Sequence, residues 1–251
     1  MIDRNVIIQA LTDALAPLPF INALWLEGTD ATGTVDEYSD LDFWAEFNDE
    51  HEEAAYKAVE EALLTISSID YKHVMHHGHP KIRQRVYHLE NTSEYLMIDF
   101  CWQLNSRPRD EFVYIENDKV EAVKVLFDKT NVIRYKPLTL SDYFQYNHPR
   151  LEEAKYRRSQ HARAEKYIRR GQYLEAYAYY NRYALEPVVD LLRLIYTPAH
   201  ADYYLVHISQ HIPEEEREKL EFLAQISSLD DISAKIPVAV AWFDELVLHK
   251  R

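Results

Sequence analysis

Residues 26–43 read LEGTDATGTVDEYSDLDF, and this stretch decides the predicted fold. The apolar run at residues 20–26 predicts a buried strand that leads into Gly28. Residues 41–47 alternate strictly between apolar and polar side chains, which predicts a second strand. The sequence therefore predicts two strands joined by a polar, glycine-containing loop.

Three aspartates on the predicted strands are the candidate metal ligands. Asp40 and Asp42 lie two residues apart, so both should project from one face of the second strand. Carboxylates held side by side repel each other, and a bound hard cation such as magnesium or manganese is the usual remedy. Asp99 is a lone charge in the apolar run of residues 95–102, where an unpaired carboxylate is costly. Three such acids at one sheet edge could hold two metal ions for phosphoryl or nucleotidyl transfer; for Asp40 and Asp42, a solvated turn is the alternative.

The glycines support a phosphate site. The chain has only four, and two of them, Gly28 and Gly33, fall between the first strand and the acidic one. Gly28 followed by Thr29 allows close approach of the backbone to a phosphate, and Thr29 adds a hydroxyl. The combination with the aspartates predicts a nucleotide and metal site.

The character of the sequence changes near its middle. Before residue 140, short β-branched and aromatic runs alternate with helical segments, and residues 82–89 and 95–102 predict a hairpin. After that point almost everything has helical spacing. We predict an α+β fold with a mixed-sheet domain at residues 1–140 and an all-helical bundle at residues 141–251.

One predicted helix of the second half carries a basic run. It extends from about residue 149 to residue 170 and ends before Gly171. Lys155 and Lys166 are eleven positions apart and could share one face of this helix, where they would neutralise a triphosphate. A solvated helix face is the alternative.

Other chemistry-bearing residues have simpler alternatives. The tyrosines at 173, 177, 180 and 183 follow helical spacing, which favours core packing over stacking on an acceptor ring. Glu186 is a candidate acid for acceptor binding because it lies in an apolar segment next to Pro187. The histidine-rich residues 73–79 have no nearby cysteine, so a loop or strand edge is favoured over a zinc site. Prolines at 187, 198, 213 and 237 are expected to kink or divide the later helices.

Composition limits the function classes. The formal net charge is −14, which disfavours nucleic acid as a partner and suits a cationic partner or solubility alone. Cys101 is the only cysteine, so no internal disulfide is expected. The longest apolar run, residues 236–243, is far shorter than the roughly 20 residues of a membrane span. We expect a cytoplasmic protein that does not enter a membrane, and the oligomeric state stays open.

The quoted stretch resembles the nucleotidyltransferase signature of the DNA polymerase beta superfamily. That signature is an apolar strand, Gly-Ser, a polar spacer, Asp-x-Asp and a third acid on a later strand; here Thr29 replaces the serine. The resemblance covers about residues 25–102, and the helical second half is similar in arrangement to bacterial aminoglycoside and lincosamide nucleotidyltransferases. It implies that Asp40 and Asp42 bind two magnesium ions, and that Asp99 binds the catalytic ion and helps to activate the acceptor.

The resemblance also implies that a nucleoside triphosphate is the co-substrate, with Gly28 and Thr29 around its β- and γ-phosphates. The full set of candidate nucleotide contacts is Gly28, Thr29, Ser39, Lys155 and Lys166. Residues 30–32 lack the basic side chain that many similar enzymes carry.

The expected function is magnesium-dependent transfer of a nucleoside monophosphate, AMP from ATP, to a hydroxyl of a small molecule such as an aminoglycoside-like antibiotic. A non-catalytic or antitoxin-type regulatory protein on the same scaffold is one alternative. Nucleotidyl transfer to a protein hydroxyl is another.

Overall fold

The computed structural model describes residues 1–118 and 120–249. The chain divides into two compact units, Met1–Pro137 and Leu138–Arg251. The first combines a mixed β-sheet with helices and the second is helical, so the predicted α+β fold class is confirmed.

The first unit holds three helices and all the strands of the described residues. Its helices are α1 (Arg4–Leu15), α2 (Gly28–Thr32) and α3 (Glu52–Leu64), with a 3-10 turn at Asp49–His51. Its strands are β1 (Ile21–Leu26), β2 (Leu41–Phe47), β3 (Ile69–Met75), β4 (Ile82–Leu89), β5 (Ile98–Leu104), β6 (Tyr114–Ile115), β7 (Lys124–Asp128) and β8 (Tyr135–Lys136). Six of them form one sheet in the order β3-β4-β5-β2-β1-β7, while β6 and β8 pair separately.

The sheet has one apolar and one mixed face. In β2, Phe43 and Phe47 belong to the hydrophobic core, together with side chains of α1 and α3 such as Leu11 and Val59. Successive strand residues point to opposite faces, so Asp42 projects from the other side. The apolar packing therefore fixes the face on which the carboxylates lie.

The strand predictions were largely confirmed. The hairpin is present, since β4 and β5 pair antiparallel with Val86 opposite Asp99, although β5 begins at Ile98 and not at residue 95. Strand β3 was not predicted as a whole, although its residues 73–75 belong to the histidine-rich segment for which a loop or strand edge was favoured; β3 lies at the sheet edge and is almost wholly exposed. An exposed edge strand lacks the apolar alternation that marks a strand in sequence.

The second unit is built from helices around its own core. Its helices are α4 (Leu140–Ser159), α5 (Ala162–Ile168), α6 (Tyr173–Tyr180), α7 (Glu186–Tyr196), α8 (Ile208–His211), α9 (Glu214–Ala224) and α10 (Leu229–His249). A π-helical segment, Asn181–Leu185, joins α6 to α7, and a 3-10 segment spans Pro198–Tyr203. The core centres on α7, where Val188, Leu191 and Leu192 are fully buried.

Two helix predictions in this unit were wrong. The single helix expected at residues 149–170 is two helices, because Gln160 leaves helical geometry at φ −94° and ψ 6° after α4. The start was also misplaced, since a capping box between Thr139 and Asp142 begins α4 well before Pro149. Pro237 lies inside α10 and does not divide it.

The break at residue 160 has a consequence for the site prediction. Lys155 lies on α4 and Lys166 on α5, so the expected shared face of one helix does not exist. No helix within residues 1–118 and 120–249 is long and apolar enough to cross a membrane.

Candidate active site

Two of the three predicted aspartates face each other across neighbouring strands. In the parallel pairing of β2 with β5, Asp42 stands in register with Asp99. Neighbouring strands lie only about 4.8 Å apart, so the two side chains share a face at close range. Asp40 is exposed and precedes β2, which begins at Leu41. The strand pairing thus brings together carboxylates that are far apart in sequence.

Gln84 positions Asp99. Its Nε2 on β4 donates to both carboxylate oxygens of Asp99, at 2.8 and 2.7 Å. In the described part of the chain, no basic side chain forms an ion pair with Asp40, Asp42 or Asp99. A neutral amide orients Asp99 and leaves its charge uncompensated.

The electrostatics at Asp42 reflect this lack of compensation. The pKa of the Asp42 carboxyl is raised to about 7, first by burial and then by the nearby negative charges of Asp40, Asp99 and Glu27. Burial also raises the pKa of Asp99, against the lowering effect of the Gln84 hydrogen bond. The site concentrates negative charge and favours a bound cation or proton.

Gly28 is packed directly against Asp42. Its φ of 58° lies in the left-handed region, and a Cβ built on it would be 2.2 Å from Asp42 Oδ2. The backbone N–H of Glu27 donates to the carbonyl oxygen of Asp42 at 3.0 Å. Only glycine at position 28 lets the loop after β1 lie this close to the carboxylate.

The two predicted hydroxyl ligands differ in availability. Thr29 Oγ1 is buried and has no hydrogen-bond partner among the described residues, a costly state that a ligand would relieve. Ser39 Oγ donates to Asp36 Oδ1 at 2.8 Å and accepts from the Asp36 N–H at 3.0 Å. Ser39 thus shapes the loop, whereas Thr29 carries an unused donor.

Arg4, which the sequence reasoning did not find, ties this loop to α1. Its guanidinium donates to the carbonyl oxygens of Ser39 at 3.2 Å and Asp40 at 2.7 Å. It also forms an ion pair with the Asp30 carboxylate. No local sequence signal links Arg4 to a loop some thirty residues later.

Glu27 is a second residue that sequence reasoning missed. Its carboxylate accepts hydrogen bonds from the Tyr114 hydroxyl and from Trp25 Nε1, the latter at 3.2 Å. Burial raises the pKa of Glu27. It adds a further acidic group beside Gly28.

The predicted lysines belong to the second unit. Lys155 Nζ lies 2.8 Å from Glu152 Oε1. Lys166 Nζ lies 4.7 Å from the centroid of the Tyr167 ring. Their contact with a nucleotide stays a prediction.

Two other candidates of the second unit have structural partners. Glu186 Oε2 accepts from Arg157 Nη1 at 3.1 Å, and the same guanidinium lies 3.6 Å from Asp190 Oδ2. Tyr180 is fully buried, and its hydroxyl donates to the Leu223 carbonyl oxygen at 2.8 Å. Tyr180 is therefore a core residue and is not available to stack on an acceptor ring.

The donor set is of the kind that magnesium takes. Asp40, Asp42 and Asp99 offer carboxylate oxygens, which suit hard cations such as magnesium. Within residues 1–118 and 120–249, no three acidic, histidine or cysteine side chains are already gathered as metal ligands. The carboxylate oxygens of these residues therefore fit magnesium. Asp42 and Asp99 lie next to each other on neighbouring strands, and Asp40 is exposed just before β2.

Comparisons with known proteins were made on sequence and on structure. No protein-family model matches the chain, and a search of curated proteins finds no match either. Among solved structures, the chain is similar to an aminoglycoside 6-adenyltransferase from Bacillus subtilis, at 13% identity and a TM-score of 0.34, covering 97% of this chain and 90% of that chain.

It is also similar to a spectinomycin adenyltransferase from Enterococcus faecialis, solved with ATP and spectinomycin, at 12% identity and a TM-score of 0.33. That similarity covers 96% of this chain and 97% of that chain. Both neighbours are nucleotidyltransferases, the class that the sequence resembles. At TM-scores below 0.5, these two structures carry no information on what this chain acts on.

The raised pKa of Asp42 predicts a specific pH dependence without metal. The folded state holds this proton up to about pH 7, whereas the unfolded carboxyl, with a pKa of 3.8, releases it earlier. The unfolding free energy should therefore fall as pH rises from about 4 to about 7. For Asp42→Asn the decline should be smaller by about 2 kcal/mol, allowing for solvent screening of the shift.

Urea unfolding in EDTA across this pH range measures the difference between wild type and Asp42→Asn. If the unfolding free energies of the two proteins changed with pH by the same amount, the raised pKa of Asp42 would be contradicted.

Proposed function

We propose that this chain is a nucleotidyltransferase that transfers a nucleoside monophosphate to a hydroxyl of a small acceptor. ATP as donor and an aminoglycoside-like acceptor follow from the sequence resemblance. The net charge of −14 supports the acceptor class, since it would attract a polycation.

The observation that carries the proposal is the register pairing of Asp42 with Asp99 beside Gly28. Two uncompensated carboxylates lie on one sheet face, and the backbone at Gly28 packs against one of them. The solvated-turn alternative fits Asp40, which is exposed, but it does not fit Asp42, because burial raises the pKa of Asp42 as it does that of Asp99. The free hydroxyl of Thr29 adds a donor next to the glycine.

Each residue would have a separate task in the reaction. Thr29 would donate its hydrogen bond to a phosphate oxygen, and Gly28 would allow the triphosphate to approach the backbone. Asp99, oriented by Gln84, would accept the proton of the acceptor hydroxyl. The acceptor oxygen bonds to the α-phosphorus while the bond to pyrophosphate breaks, so the nucleoside monophosphate is transferred.

Asp40, Asp42 and Asp99 would hold magnesium at this site. Bound magnesium supplies positive charge that offsets the charge of the triphosphate and the leaving pyrophosphate. Arg4 would keep Asp40 in place by holding the carbonyl oxygens of Ser39 and Asp40.

Loss of one carboxylate should abolish transfer. We expect Asp42→Asn to lower acceptor-dependent pyrophosphate release by about 100-fold or more, because electrostatic stabilisation of this kind is worth several kcal/mol. The measurement uses ATP, magnesium and a panel of aminoglycosides. Calorimetric titration of magnesium-ATP gives an acceptor-independent reading and should show binding to wild type only.

Asp13→Asn is the matched control. Asp13 is an exposed carboxylate on α1 that accepts from Gln9 Nε2 at 2.8 Å, so its loss should change neither reading. Equal nucleotide binding by wild type and Asp42→Asn would contradict the proposal. Absence of nucleotide binding by wild type would favour the regulatory-protein alternative.

The two loop glycines offer a second, paired test. Gly28 and Gly33 both have positive φ, 58° and 75°, so alanine at either should cost about 1 kcal/mol of stability. Only at Gly28 would the new Cβ displace Asp42 Oδ2, whereas nothing lies within 4 Å at Gly33. We expect Gly28→Ala to abolish transfer and Gly33→Ala to retain it, with similar loss of stability. Equal activity of the two variants would show that the Gly28 contact is unimportant.

A further inference from the structure

A polar cavity lies in the first unit, away from the aspartates. Its volume is about 300 Å³, and its lining includes Arg107, Arg109, Arg134 and Glu46. None of the candidate nucleotide or metal residues lines it. The lining thus has three guanidinium groups and one carboxylate, a local excess of positive charge that is unusual in a chain of net charge −14.

The carboxylate of Glu46 is already engaged by other groups. It accepts hydrogen bonds from Asn22 Nδ2 and from Gln103 Nε2, both at 3.2 Å. It also lies 3.4 Å from Arg107 Nη2. The negative charge of Glu46 is therefore already offset by these groups. It does not neutralise the positive charges of Arg109 and Arg134.

Arg107 is built into the cavity wall. It is only 7% exposed, and its Nη1 donates to the Glu111 carbonyl oxygen at 2.9 Å. Its Nε is buried and has no partner within the described residues. A buried guanidinium N–H without an acceptor is costly, so it favours an acceptor supplied from outside the chain.

Arg109 and Arg134 complete the cationic lining. The first is exposed and the second half-buried. Within residues 1–118 and 120–249, neither side chain forms an ion pair with an acidic group. Such unneutralised guanidinium groups around one cavity would repel each other without an anion between them.

The cavity is separate from the aspartate site although it shares its sheet face. Glu46 lies four residues beyond Asp42 on β2, a distance of about 13 Å along the strand. The stacked rings of Trp25 and Trp44, with centroids 6.1 Å apart, lie between Asp42 and Glu46. An anion in the cavity would therefore not need the metal site.

We propose that this cavity binds a small oxyanion of two or more charges, through Arg107, Arg109 and Arg134. Guanidinium groups match phosphate and carboxylate oxygens with paired hydrogen bonds, so a phosphate ester and a polycarboxylate are the two sources of this chemistry. The volume is at the low end for ligand pockets, which favours a ligand smaller than a nucleotide. This proposal does not depend on nucleotidyl transfer.

The test is calorimetric titration of metal-free protein with inorganic phosphate and with citrate, at constant ionic strength. We expect Arg134→Gln and Arg109→Gln each to weaken binding about tenfold or more, since a charge-assisted pair is lost. Lys57→Gln is the charge-matched control, because Lys57 is exposed and, among the described residues, its ion pair is with Glu61, at 3.6 Å. The anion that binds more tightly identifies the source.

Thr29→Val separates this cavity from the aspartate site. Binding that is lost in Arg134→Gln and kept in Thr29→Val and Lys57→Gln would support the proposal. Binding that is lost in Thr29→Val and kept in Arg134→Gln would overturn it, as would no binding of either anion to wild type. Circular dichroism of each variant checks that the fold is intact, and the Arg134 side chain has no hydrogen-bond or ion-pair partner among the described residues whose loss should unfold it.

Discussion

The repulsion between Asp42 and Asp99 is the interaction on which the rest of the site depends. The parallel register of β2 and β5 places these carboxylates side by side, and burial raises the pKa of both. No basic residue of the described chain neutralises them, and Gln84 orients one without removing its charge. Such an arrangement favours a bound cation or a proton, and magnesium is the cation that we propose.

The sheet explains how the chain tolerates this cost. One face is closed by α1 and α3 over an apolar core, and it fixes the strands independently of the polar face. The polar face carries opposite charges at its two ends: carboxylates near Asp42, and the arginine-lined cavity near Glu46. The stacked rings of Trp25 and Trp44 separate them. The same sheet face would therefore carry both proposed sites, one for a cation and one for an anion.

The sequence predicted those features that have a local signature. Strands β2 and β4 were predicted at their observed bounds because both are short runs rich in apolar, β-branched or aromatic residues. The adjacency of Asp42 and Asp99 was expected, but only the strand pairing shows that they are in register. Arg4, Gln84 and Glu27 were missed because their contacts join distant parts of the chain. The helix break after Ser159 was missed because neither glycine nor proline marks it.

Manganese binding tests the central claim, that the paired aspartates form a cation site, most directly. The free-ion signal in electron paramagnetic resonance gives the manganese bound by the protein together with a non-hydrolysable ATP analogue, after subtraction of the analogue alone. We predict excess bound manganese for wild type and about tenfold weaker binding for Asp42→Asn, since a carboxylate ligand is lost. The same affinity in both proteins, or no excess manganese on wild type, would contradict a cation site at Asp42 and Asp99.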